Sequence, residues 1–149
     1  MGTVYQQFRP CLIRVLPMIL VLLCLVSSAS AAGYVIIANK SVETGTLSKS
    51  ELQAIFLGEK VKWDNRKYIK IVIFEEPEIL REFLQNILGK TPSQFDNHWS
   101  KLVFTGKANM PQTFTDKARL VEFVAGKPGS ISFVPAGQAG DSVKVISIK

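Results

Sequence analysis

The residues of this sequence that could do chemistry fall into three small groups. Glu75, Glu76 and Glu78 crowd around Pro77. Carboxylates so spaced could share acid–base work or hold a cation. His98 is the only histidine and sits one residue before Trp99. Lys40 and Ser41 follow an apolar run, and Thr105 and Lys107 flank Gly106. Those four offer cationic and hydroxyl donors to an anion, or serve as an ordinary solvated loop. The carboxylates lack the alternating oxygen ligands and turn glycine of a calcium loop. Acids at a helix start also complement the helix dipole, and that structural reading is preferred for all three. His98 has no recognisable serine or carboxylate partner and reads as a helix-surface position. A lone histidine excludes histidine-rich metal sites. No nucleophile–base pair appears, so hydrolysis fails as a reading. No catalytic residue, metal or cofactor is assigned.

The elements that must position these groups are legible in outline. Tyr34–Ala38 is an uninterrupted apolar run and predicts a buried strand. Residues 39–47 predict a polar loop. Ser48 caps a short helix, and Glu51 three residues on completes a capping box. Leu52, Ile55 and Phe56 give that helix its apolar stripe, and Gly58 stops it. Residues 68–74 predict a second strand with Ile69, Ile71 and Ile73 on one face. Pro77 opens the next helix. Its stripe is Ile79, Leu80, Phe83, Leu84, Ile87 and Leu88, and Gly89 ends it. Thr91 and Pro92 open a third helix carrying Phe95, Trp99, Leu102 and Val103. Residues 107–114 predict a loop. Thr115 or Asp116 caps a fourth helix with Leu120, Val121, Phe123 and Val124 inward. Residues 130–134 and 143–148 alternate as strands. Strands separated by helices predict an α/β domain, and loops at strand carboxyl ends are where such sheets bind ligands.

Residues 1–31 stand apart from that domain. Arg9 and Arg14 precede an apolar run over residues 15–26, and Ala29-Ser30-Ala31 follows. This is the layout of a secretory signal peptide, and the run is shorter than the ~20 residues a spanning helix needs. An uncleaved anchor and a lipid-modified Cys24 are the alternatives. Cleavage after Ala31 leaves 118 of the 149 residues as one domain, 32–149, with no stable membrane span. Both cysteines, Cys11 and Cys24, depart with the leader, which excludes disulfides and thiol chemistry. The net charge of +6 falls to +4 as two arginines leave. Lysines are scattered among acids, so no nucleic-acid stripe is indicated.

Four segments together resemble the phosphate-type periplasmic binding proteins, the solute-capturing parts of ABC importers. The first runs from Val35-Ile36-Ile37-Ala38-Asn39-Lys40-Ser41 through Leu47-Ser48-Lys49-Ser50-Glu51-Leu52 to Ile55-Phe56-Leu57-Gly58-Glu59-Lys60 and Trp63. The others are Thr91-Pro92-Ser93-Gln94-Phe95, Trp99-Ser100-Lys101-Leu102-Val103-Phe104-Thr105-Gly106-Lys107 and Lys127-Pro128-Gly129-Ser130-Ile131-Ser132-Phe133-Val134. The resemblance implies a single lobe of a type II periplasmic-binding-protein-like fold, with a mostly parallel or mixed sheet flanked by helices. It implies a periplasmic, non-catalytic protein that binds a small phosphate-like oxyanion as an accessory to transport. Full-length relatives close two lobes on the anion. This sequence matches one of them, so a second lobe from another chain would supply the other wall.

Relatives place an arginine and a glycine-serine-glycine-threonine run after the second strand, where helix N–H groups hold the anion. Here that place reads Phe74-Glu75-Glu76-Pro77-Glu78. Each carboxylate close to a bound anion costs about 1 kcal/mol in water and more in a less polar cleft. Arg81 could reach back to the helix start, although its spacing favours pairing with Glu78 or Glu82. The candidate ligand set is therefore Lys40, Ser41, Arg81, Thr105 and Lys107. The alternative is a cell-envelope protein-interaction module that has lost phosphate binding.

Overall fold

The computed structural model describes residues 33–149, and the signal-peptide reading of residues 1–31 lies outside them. Among the described residues, no helix is long and apolar enough to cross a membrane. The elements are β1 (Tyr34–Ala38), β2 (Thr46–Leu47), α1 (Lys49–Phe56), β3 (Lys70–Phe74), α2 (Pro77–Phe83), α3 (Pro92–Phe104), β4 (Gln112–Phe114), α4 (Lys117–Gly126), β5 (Ser130–Pro135) and β6 (Lys144–Ile148). The six strands form one mixed sheet in the order β2-β6-β1-β5-β3-β4.

Strand direction decides where function can sit. β2 runs parallel to β6, and β3 runs parallel to both β5 and β4. β1 lies between β5 and β6 and is antiparallel to each. All the other strands therefore point one way, against β1. Their carboxyl ends, and the helices that follow β2, β3 and β4, gather at one end of the sheet. The carboxyl end of β1 lies at the other.

The core forms where the helices cover the central strands. Ile36, Ile37, Ile131, Phe133, Leu52, Phe56, Phe83 and Leu120 are fully buried. Phe83 stacks on Phe133 with centroids 4.0 Å apart, and Phe56 meets Phe83 edge-on at 4.7 Å. Such aromatic pairs add about 0.5–1.5 kcal/mol each beyond the area they bury.

The capping box of Ser48 and Glu51 is present, and Thr91 forms a second one with Gln94. Asp116, of the two candidates, caps α4. Gly58 and Gly89 hold positive φ just past their helices, as a left-handed stop requires. α2 continues into a π-helical turn, Leu84–Leu88, that the apolar stripe does not reveal. Gln53 of α1 donates to the Ile87 carbonyl there at 2.7 Å, so the widened turn is tied to its neighbour.

Three expectations need correction. The loops expected over residues 39–47 and 107–114 contain β2 and β4, strands of two and three residues that are too short to show alternation. β3 begins at Lys70, because Tyr68 instead forms a bridge with Lys62. Val103 of α3 is exposed, not inward.

Candidate functional site

The carboxyl end of β3 is the natural place to look for an anion site, because α2 starts there. Pro77 occupies the first helical position and brings no N–H. The Ile79 N–H donates to the carboxylate of Glu76 at 2.8 Å, so Glu76 caps its own helix. The Glu75 N–H donates to the Phe114 carbonyl of β4 at 2.9 Å. Of positions 77–79, this leaves only the Glu78 N–H without a protein partner among the described residues. Glu75 and Glu78 are exposed beside it. A helix terminus that favours anions is thus occupied by carboxylates of its own chain.

The neighbouring helix starts at this end are closed in the same way. Asp116 accepts from the Arg119 N–H at 2.8 Å, and Ser48 with Glu51 closes the start of α1. The Ser48 hydrogen bonds, backbone first, hold the Glu51 carboxyl below the usual carboxylate range. Glu82 is used differently from what the spacing suggests. Its carboxylate accepts from the Gly33 N–H at 2.8 Å, just before β1. A Cβ on Gly33 would lie 2.5 Å from that carboxylate, a contact the flexible Glu82 side chain could relieve by shifting. Burial pushes the Tyr34 hydroxyl above its usual pKa, a hydrogen bond with Asn86 opposes this, and the Glu82 charge adds to it.

The five donors named from the sequence do not meet at one place. Arg81 is exposed near the start of α2 and makes no ion pair with Glu78 or Glu82. Lys40 and Ser41 lie at the opposite end, since β1 runs against β5. The Ser41 hydroxyl accepts from the Gly129 N–H at 3.1 Å, which ties it to the turn before β5. Thr105 spends its hydroxyl proton on the Lys101 carbonyl of its own helix, 2.8 Å away. Lys40 and Lys107 are exposed and make no ion pair among the described residues. Lys107 stands near the amino end of β3, on the same side of the sheet as Lys40 and Ser41.

Two structural roles were missed from the sequence. His98 is half-buried, and its Nε2 lies 2.8 Å from the Leu57 carbonyl. A carbonyl only accepts, so that nitrogen carries the proton and caps the end of α1. Asn39 donates to the Val124 and Ala125 carbonyls at 2.8 and 2.7 Å, holding the end of α4. An asparagine after a strand signals a turn, but nothing local reveals so distant a partner.

The fold has counterparts among solved structures. The chain superposes on an ABC-type phosphate transport receptor from Vibrio cholerae with a TM-score of 0.58 at 17% identity, covering 78% of this chain and 46% of that one. A putative phosphate ABC transporter substrate-binding protein with bound phosphate, from Clostridium perfringens, gives 0.60 at 17% identity, with 78% and 44% covered. PstS from Borrelia burgdorferi gives 0.59 at 15% identity, with 78% and 47% covered. The chain therefore spans less than half the length of each of these proteins. No family model and no curated protein matches the sequence.

Proposed function

We propose that this chain is an exported, periplasmic, non-catalytic binding lobe that serves as an accessory to phosphate-type ABC transport. The observation that carries this reading is the sheet itself. A single antiparallel strand, β1, is set among strands that all run the other way, and the same fold recurs in solved phosphate receptors. The solute would be a small oxyanion held weakly, with a second lobe or another chain as the other wall of the cleft. Of the five candidate contacts, Lys40, Ser41 and Lys107 share one end of the sheet, and Arg81 at the other end cannot join them around one small anion. Lys40 and Lys107 make no ion pair among the described residues, and Thr105 is the least available because its proton is already used.

A second reading is favoured by a specific feature, the start of α2. Glu76 fills that terminus and Glu75 and Glu78 flank it. An end so acidic suits contact with a basic protein surface better than capture of a dianion. Calorimetric titration of the protein with phosphate and related oxyanions separates the two. The accessory reading expects binding no tighter than about a millimolar, worth ~4 kcal/mol. Lys40→Ala or Lys107→Ala should weaken it more than His98→Ala. Binding of no oxyanion at all would favour the interaction module. Micromolar binding would contradict a weak, one-walled site.

A further inference from the structure

We propose that a groove at the amino ends of β3 and β4 binds a small amphipathic organic anion, an alkyl or aryl body carrying a phosphate or carboxylate head. The groove has a volume of about 590 Å³. That lies within the ~300–1,000 Å³ typical of small-molecule sites. Trp99, Ile71 and Val72 line it, together with Val61 and Tyr68 from the segment before β3 and Met110 from the loop before β4. It lies at the far end of the sheet from the start of α2 and shares Lys107 with the proposed oxyanion contacts, while its apolar walls stand apart from that reading.

Two independent properties coincide there. The first is uncovered apolar surface. Val61, Tyr68 and Met110 are 54%, 64% and 53% exposed, although each is large and apolar or aromatic. Clustered exposed apolar residues mark binding surfaces, whereas scattered ones do not. The second is charge. Lys60, Lys70 and Lys107 line the groove, and among the described residues no aspartate or glutamate does. Lys60 is engaged by Asp64 at 3.3 Å. Lys70 and Lys107 have no ion-pair partner among the described residues. Unopposed cations beside an apolar trough fit a ligand with a greasy body and an anionic head. Inorganic phosphate would satisfy the lysines and leave the apolar wall wet. A neutral hydrocarbon would do the reverse.

The groove is held in shape by contacts unrelated to any ligand. Trp99 donates through its indole N–H to the Phe56 carbonyl at 3.2 Å. Gly58 packs directly on its ring, where a Cβ would come within 3.1 Å. On the other side, the Trp63 indole donates to the Gly129 carbonyl at 2.9 Å, and the Lys70 N–H donates to the same carbonyl at 3.1 Å. A prearranged trough loses little ordering entropy when it is filled.

The test titrates the whole protein with octyl phosphate below its micelle concentration. It follows tryptophan fluorescence and the amide shifts of residues 68–72 and 108–112. Inorganic phosphate, octanol and anionic lipid vesicles are run beside it. Saturable binding of octyl phosphate is expected, with octanol weaker by about tenfold or more. Replacing Lys70→Ala and Lys107→Ala together should also weaken it about tenfold, the scale set by two exposed charges. Both lysines are on the surface, and circular dichroism checks that the variant stays folded. Equal affinity for octanol, an unchanged double variant, or binding to vesicles alone would each overturn the proposal.

Discussion

At the carboxyl end of β3 the chain turns into α2 through Glu75, Glu76, Pro77 and Glu78, and its own carboxylate takes a helix N–H. At the amino end of the same strand the chain arrives past Tyr68 and Lys70, beside an apolar groove with lysines and, among the described residues, no acid. Dipole and topology favour anions at the first end, yet the residues present there repel them. At the second end no helix start lines the groove among the described residues, yet both charge and apolar surface are left over. A helix start is an anion site only while its donors remain free. In this protein Glu76 removes one donor, and Pro77 never had one.

The sharpest way to break this contrast is through two glycines with nearly the same backbone. Gly129 has φ +79° and Gly137 has φ +75°. A Cβ on Gly129 would meet the Tyr68 carbonyl oxygen at 2.4 Å, whereas one on Gly137 would meet nothing within 4 Å. Gly129→Ala should lose about 3 kcal/mol or more in urea melts, through strain plus backbone collision. Gly137→Ala should lose only ~1 kcal/mol, the cost of the left-handed conformation alone. Equal losses would show that the close approach at the groove wall is not specific.

A smaller effect tests the carboxyl end. The folded state holds the Glu51 carboxyl below its ordinary value through the Ser48 hydrogen bonds. A lowered folded pKa gives stability that is present at neutral pH and lost as pH falls through that pKa. Wild type should therefore exceed Glu51→Gln in stability at neutral pH, with the gap closing in acid below about 4.5. Glu51 is largely solvated, so the gap should be small. A gap that stays constant with pH would mean that charge at this helix start contributes nothing.

Much of the fold was legible because helix boundaries are local. Ser48 with Glu51, Thr91 with Pro92, Gly58 and Gly89 each act within one turn of where they stand. Strand direction is not local. The run Tyr34–Ala38 predicts a strand but not that it opposes its neighbours, so Lys40 and Ser41 looked like partners of a carboxyl-end site. β2 and β4 were too short to read, and the π-helical turn leaves no mark on the apolar stripe. The acidic start of α2 could be read from the sequence, but the capture of the Ile79 N–H by Glu76 depends on a rotamer. The groove was not legible, because segments around residues 60, 70, 99 and 110 build it together.

The central claim is that the chain's own acids close the start of α2 to an oxyanion. The direct test replaces Glu75-Glu76-Pro77-Glu78 with a glycine-serine-glycine-threonine run and compares phosphate binding by calorimetry with wild type. The substitution frees helix N–H donors and removes three negative charges. The account predicts a gain in phosphate affinity that fades as salt is raised, since much of it comes from charge. A folded variant that gains no affinity would contradict it.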